Sequence, residues 1–161
     1  MSTDMAFVRR AHHDEDWQPI LELAIQEVFT IMLGTEVKPG MTLETRLKGE
    51  FTAMVGLAGA LCGVLTLTCG AEAAHQIAKC MLGDAAESED QVVDALGELC
   101  NMITGNFKNK LAGTDERCLL SVPSVVSGGE YNFRSLADGS TLETILMFEG
   151  APVDVRLQLK S

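Results

Sequence analysis

Apolar residues recur along part of this chain at the three- and four-residue steps of a helix face. The spacing predicts one helix over residues 17–33, with Pro19 in its first turn and Gly34 ending the pattern. A short helix is predicted over residues 70–82. A long one is predicted from about residue 91 to 111, because the acidic, serine-bearing segment AESED precedes it and a glycine follows.

Elsewhere apolar and polar residues alternate with period two, which predicts strands. Residues 47–57 and 61–67 form a predicted hairpin around the glycine-containing turn AGA. After the long helix, CLLSVPSVV is predicted to be a short strand interrupted at Pro123.

Two final strands are predicted, Thr141–Phe148 and a last one from Val153 to the end, joined by the turn Glu149-Gly150-Ala151. In the last strand valines and leucines alternate with polar residues, which indicates a sheet with one buried and one wet face. The residues expected on the wet face are Asp154, Arg156, Gln158 and Lys160.

These elements predict an α+β fold, an antiparallel sheet with long helices packed on it. We expect a polar leader over residues 1–16 and a single domain over 17–161. A weak internal repeat is also visible. QEVFTIMLG in the first helix resembles GELCNMITG in the long helix, and each helix leads to a hairpin. A pseudo-two-fold fold is therefore expected, although two amphipathic helices can resemble each other by chance.

The charge balance limits the possible partners. The 161 residues include 12 Lys and Arg against 23 Asp and Glu, a formal net charge of -11. Nucleic acids and anionic membranes need a basic footprint, so both are disfavoured. The chain also lacks a basic cluster that could hold a phosphate group.

The cysteine pattern favours a reducing compartment. There are five cysteines, an odd number, with no CxxC pair, so we expect reduced, small core residues in a cytosolic protein. A zinc site would need clustered ligands, which this spacing does not supply. The start of the chain lacks the apolar core of a secretory signal, and no segment has the length of a membrane span.

The polar face of the long helix carries the candidate chemistry. On a helical wheel Asp94, Glu98, Asn101 and Gly105 lie almost opposite the apolar side, and Gly97 lies on the flank. Glycine inside a helix costs roughly 1 kcal/mol relative to alanine. The two glycines therefore suggest that something approaches this surface closely.

Two interpretations of this face remain open at this point. The simpler one is the wet side of an amphipathic helix, because the spacing ExxN is common. In the functional one, the Asn101 amide orients a water molecule, as the glutamine of a GTPase does in phosphoryl transfer. Glu98, one turn away, would then pair with a lysine on a docked partner.

The segment DALGELCNMITGN, residues 94–106, resembles the D/S-xxx-E-xx-N signature helix of the CheC/CheX/FliY phosphatase family, and Pro123 follows where that family has a proline. MLGTEVKPG, FTAMVGLAGALCGVLTLT and LLSVPSVVSG add to the resemblance, which covers roughly residues 17–160 and is closest to the CheX-like members. Each segment alone is weak evidence, but their order is fairly specific.

This resemblance implies a phosphatase for the aspartyl-phosphate of a CheY-like receiver domain. By position, Asn101 would orient the attacking water and Glu98 would pair with the receiver's lysine, while Asp94, Gly97 and Gly105 would contact the partner. No metal is expected on this chain, because Mg²⁺ would sit in the receiver's active site. The resemblance also implies a homodimer formed through the sheets.

In the first helix Thr30 takes the position of Asn101, and Leu23 that of Asp94, whereas Glu27 matches Glu98. Without the amide, a second site on this helix is predicted to be inactive. A non-catalytic module that binds a receiver or a flagellar switch component is the alternative function. A purely structural domain is a third. Neither His75 nor Cys100 is assigned a catalytic role.

Overall fold

The computed structural model describes residues 14–39, 50–83, 88–111, 118–129, 131 and 138–160. The helices are α1 (Asp14–Leu33), α2 (Ala71–Leu82) and α3 (Glu89–Lys110). The strands are β1 (Lys38–Pro39), β2 (Phe51–Gly59), β3 (Gly63–Cys69), β4 (Cys118–Leu120), β5 (Ser124–Ser127), β6 (Thr141–Phe148) and β7 (Ala151–Leu159). Most of the predicted leader, residues 1–13, and the predicted strand start at 47–49 lie outside the described residues.

The described strands form one antiparallel sheet in the order β1-β6-β7-β3-β2-β4, with β5 also pairing with β2. The hairpins β2–β3 and β6–β7 meet at the centre through β3 and β7. On each side the outer strand of the hairpin pairs with a short strand that follows a helix. The predicted α+β class is confirmed. The pairing pattern is the same from both edges, but the internal repeat itself stays a prediction.

The three helices contact one another and form a single layer on one face of the sheet. Alternate strand residues such as Val55, Leu65 and Val155 point into this core and are fully buried. Aromatic rings also connect the helices within this layer. Trp17 of α1 lies edge-on to Phe107 of α3 at 6.2 Å between ring centroids. Such pairs fix the helix positions in addition to burying area.

The helix ends differ slightly from the sequence predictions. Ser88 and Gln91 form a reciprocal capping box that starts α3 at Glu89. The first helix begins at Asp14, so Pro19 is its sixth residue and not, as predicted, part of its first turn. A proline there costs one backbone hydrogen bond. The buried side chain of Trp17 provides packing that stabilises the helix on the N-terminal side of Pro19.

The β6–β7 turn is shorter than predicted. Phe148 already pairs with Ala151, so only Glu149 and Gly150 form the loop. Both have positive φ, 50° and 80°. Positive φ at both central residues is characteristic of the tight turns whose twist suits a hairpin, and Gly150 adopts it without strain.

The thiols are only partly the core residues that were predicted. Cys69, Cys100 and Cys118 are buried, but Cys62 and Cys80 are exposed, and all five are free. Within the described residues, no helix combines the length and hydropathy needed to cross a membrane.

The outer sheet face, away from the helices, is not uniformly wet. Asp154 was expected in solvent but is only 8% exposed. Its Oδ2 accepts a 3.1 Å hydrogen bond from Nε of Arg156, which also pairs with Glu143. Its buried Oδ1 has no hydrogen-bond partner among the described residues. Burial, and then the Glu143 carboxylate, raise the pKa of Asp154 to about 6. The alternation of apolar and polar residues along β7 predicted the sheet face on which Asp154 lies but not its burial.

The raised pKa of Asp154 predicts a pH-dependent cost. The carboxyl of Asp154 has its ordinary pKa of 3.8 in the unfolded chain and a pKa of about 6 in the folded protein. As the pH rises, the unfolded chain therefore loses this proton first. Stability is therefore lost as the pH rises from about 4 to 6, and the penalty stays constant above that range. We expect the free energy of unfolding of Asp154→Asn to rise relative to that of wild type by roughly 1–3 kcal/mol between pH 4 and pH 7.5. Thermal unfolding at these two pH values measures the difference.

Glu149→Gln, on an exposed turn, is the matched control and should show no such trend. An Asp154→Asn difference that is equal at the two pH values would contradict the buried-charge explanation.

Candidate active site

The long helix α3 presents a narrow polar face because most of its circumference is packed. Leu96, Leu99 and Ile103 are fully buried against the sheet and the other helices. On the opposite side Asp94 and Glu98 are exposed. Asn101 is half-buried. Three residues of helix separate Glu98 and Asn101 by about 4.5 Å along the axis, so their side chains are neighbours.

These polar groups are not used by the fold. Among the described residues, no hydrogen bond or ion pair involves the side chains of Asp94, Glu98 or Asn101. A carboxylate and a carboxamide one turn apart, both without internal partners, are free to engage another molecule. The three predicted polar residues therefore do share one accessible face.

A shallow concavity lies beside Glu98, where α3 meets the edge of the sheet. It is lined by Val93, Asp94, Gly97, Glu98, Pro123 and Val125. A Cβ on Gly97 would lie 3.4 Å from Cβ of Pro123 and 3.7 Å from Cγ2 of Val125. Gly97 is itself buried. The close approach that the sequence suggested at this glycine is thus made by the chain's own β5 segment.

Gly105 lies two turns further along, and there a Cβ would be 3.8 Å from Cδ1 of Leu120. Gly97, Asn101 and Gly105 follow at four-residue steps and so form one stripe on α3. The contacts pair Gly97 with Pro123 and Gly105 with Leu120, so the segment from 120 to 123 runs antiparallel along the stripe. Asn101 lies on α3 midway between these two contacts.

The middle of the segment is anchored to the sheet through Ser121. The Ser121 amide donates to the Gly56 carbonyl at 2.9 Å, and the Gly56 amide donates to Ser121 Oγ at 2.8 Å. At the far end Ser127 Oγ donates to Oε1 of Glu89, 3.3 Å away. Sequence reasoning identified Pro123 but missed Ser121, for which the residue pattern offers no signal.

The first helix carries the matching glutamate in a different environment. Lys110 donates to Glu27 Oε1 at 2.9 Å and lies 2.7 Å from Oε2, and Asn106 donates to Oε2 at 2.9 Å. The hydrogen bond from Lys110, and then that from Asn106, lower the pKa of Glu27. Glu27 therefore joins α1 to α3. Beside it Leu23 and Thr30 are exposed.

Other reactive side chains are poorly placed for chemistry. Burial raises the pKa of the Cys100 thiol to about 12, which disfavours the nucleophilic thiolate. His75 contacts the Ala71 carbonyl of its own helix through Nδ1 at 2.7 Å. In the described part of the chain, no group of three His, Cys, Asp or Glu residues could hold a metal ion.

Comparison with known proteins gives a consistent family. The family model described as chemotaxis phosphatase CheX matches residues 51–145, which include α3 and its polar face. A curated relative from Thermotoga maritima, named CheY-P phosphatase CheX, is 26% identical over 144 residues, covering 86% of this chain and 92% of the relative.

Solved structures share the fold. A CheC-like superfamily protein from a Shewanella species has a TM-score of 0.76 at 25% identity, over 91% of this chain and 98% of that one. CheX from Borrelia burgdorferi, solved in complex with CheY, BeF3 and Mg²⁺, has a TM-score of 0.71 at 24% identity, over 89% and 97% of the two chains. The predicted CheC-like fold is confirmed.

The contact distances at the two glycines predict different responses to alanine. At Gly105 the added Cβ would meet Leu120 at an ordinary 3.8 Å. Gly105→Ala should therefore raise the free energy of unfolding by about 0.5–1 kcal/mol through helix propensity. Gly97→Ala is the matched control, and its gain should be smaller because Pro123 lies at 3.4 Å. Urea denaturation measures both. A destabilised Gly105→Ala would contradict the packing described here.

Proposed function

The chain belongs to the chemotaxis phosphatase CheX family, and we propose that it hydrolyses the aspartyl-phosphate of a CheY-like receiver domain. The observation that carries the proposal is the pair Glu98 and Asn101, one helical turn apart on a fixed helix and without a side-chain hydrogen bond or ion pair to the described residues. Family membership supports the class of reaction, and Glu98 and Asn101 are the candidate residues for carrying it out.

In the proposed step Asn101 positions the nucleophile. Its carboxamide, which can both donate and accept hydrogen bonds, holds a water molecule in line with the phosphorus atom. The water oxygen forms a bond to phosphorus as the bond to the aspartate oxygen breaks. The aspartate leaves as a carboxylate, and the water's proton passes to solvent or phosphate. This chain forms no covalent intermediate.

Glu98 has the complementary role of docking. Its exposed carboxylate pairs with the receiver's lysine and fixes the Asn101 amide relative to the phosphoryl group. Mg²⁺ belongs to the receiver's active site, so this chain supplies no metal. Asp94 and Gly105 lie on the contact face, while Gly97 acts from beneath by allowing Pro123 to pack closely. We expect the reaction to take place in the cytoplasm.

The relatives support the choice of partner. The Thermotoga maritima relative is named as a phosphatase of CheY-P, and the Borrelia burgdorferi CheX was solved with CheY. The first helix lacks an equivalent site, since Thr30 replaces the amide and Glu27 is already bound by Lys110 and Asn106. We therefore propose one site per chain, on α3.

Removing the amide should stop catalysis while leaving binding largely intact. We expect Asn101→Ala to lower the acceleration of dephosphorylation roughly a hundredfold or more, because the water is no longer oriented. The rate is measured as phosphate release from CheY receivers of the source organism that have been phosphorylated by a small phosphodonor. Glu98→Ala should reduce both the rate and the affinity.

Glu27→Ala is the matched control, since this glutamate has the same place on the other helix and should leave the rate unchanged. If Asn101→Ala accelerates dephosphorylation as well as wild type does, the proposed mechanism is wrong. A wild-type protein that binds the charged receiver but never accelerates its decay would instead indicate the non-catalytic binding module.

We also propose that the protein is a homodimer joined through the outer sheet faces. No described helix covers this face, where Met54, Ile145 and Met147 are only half-buried. Hydroxyl groups also lie there: that of Thr52 is hydrogen-bonded to those of Thr68, at 3.1 Å, and Tyr131, at 2.6 Å. Half-buried apolar side chains on an open sheet suit a symmetric contact between two copies.

A charge on this face should separate the copies. Wild type should sediment at twice the 17.3 kDa mass of one chain, and Met54→Glu should sediment as a monomer, because a two-fold axis brings like charges together. Ile31→Glu, on the exposed side of α1, is the control and should stay dimeric. A monomeric wild type at micromolar concentration would refute the dimer.

A further inference from the structure

One apolar side chain close to the candidate active site is almost fully exposed. Val122 is 85% exposed, between the ends of β4 and β5. Single exposed apolar residues are ordinary on protein surfaces. Val122 differs because both of its neighbours in the chain are held in place.

The residue before it is fixed by hydrogen bonds. Ser121 exchanges two with Gly56, at 2.9 and 2.8 Å, and its hydroxyl also lies 3.1 Å from the Val122 carbonyl. The residue after it, Pro123, has a restricted φ and packs on Gly97. A β-branched side chain adds little freedom of its own. Val122 is therefore presented to solvent in a fixed position.

That position lies along the polar stripe of α3 that carries Asn101. Gly97 lies beside Pro123 and Gly105 lies beside Leu120, and Asn101 is midway between the two glycines on α3. Leu119, the other strongly exposed residue here, pairs with Ala58 and points to the outer sheet face. Val122 instead lies in the chain between Leu120 and Pro123, the two residues that contact α3 at the glycines.

We propose that Val122 is a docking residue for the receiver, packing on an apolar part of the rim around its phosphorylated aspartate and so setting the position of Asn101. This inference rests on the proposed function. The polar face already supplies charge through Asp94 and Glu98, but ion pairs at a surface tolerate variable geometry. Orienting a water molecule needs a placement precise to a fraction of an ångström, which a rigid apolar contact helps to provide.

The test compares Val122→Ser with Ile31→Ser, a substitution of another β-branched residue, 77% exposed on α1. The affinity is measured by titration with a CheY receiver of the source organism carrying BeF3 and Mg²⁺, and KM and kcat by phosphate release. We expect Val122→Ser to raise Kd and KM about tenfold. The Tm and the dependence of Kd on salt should stay unchanged, and Val122→Ile should restore the affinity. Ile31→Ser should match wild type.

Each outcome decides the proposal. Wild-type affinity and KM in Val122→Ser overturn the docking role but leave the phosphatase proposal intact, provided that wild type is active. A Tm that falls together with the affinity, without rescue by Val122→Ile, assigns Val122 to the fold and also overturns the role. A wild-type protein that neither binds nor dephosphorylates the receivers overturns both proposals.

Discussion

The close packing of Gly97 on Pro123 is the contact on which the candidate site depends. The core fixes only the apolar side of α3, so the flank of the helix must be set by something else. At Gly97 the flank of the helix packs on Pro123, whose Cβ lies 3.4 Å from the place that a Cβ of residue 97 would take. The interrupted strand can then lie along the helix. Asn101 then lies on the helix between the contacts at Gly97 and Gly105, while Glu98 remains open to solvent.

Local patterns account for the parts of the fold that the sequence predicted. The long helix followed from its apolar stripe, and the capping pair Ser88 and Gln91 explains its start. The interruption at Pro123 followed from the missing amide of proline. The face carrying Glu98 and Asn101 could be identified because both residues belong to one helix, where their spacing alone shows that the two side chains point to the same side.

Contacts between distant segments account for what the sequence could not predict. The burial of Asp154 depends on its neighbours across the sheet, and the anchoring of Ser121 depends on Gly56, 65 residues earlier. Gly97 is the clearest case. A bare helix position predicts that something lies close to it, but only the fold shows that Pro123 of the same chain lies there.

Glu27 and Glu98 have matching positions on their helices but different surroundings. Glu27 has a lysine and an amide of α3 within hydrogen-bond distance, so its charge is neutralised within the protein and serves to hold two helices together. Glu98 has no such partner among the described residues. Its charge therefore remains available to a cation brought by another molecule. A protein with a net charge of -11 and no basic cluster can act on a phosphoryl group only if the partner supplies the positive charge. In the proposed reaction a receiver that carries its own lysine and Mg²⁺ supplies that charge, which leaves one carboxylate and one amide as the contribution proposed for this chain.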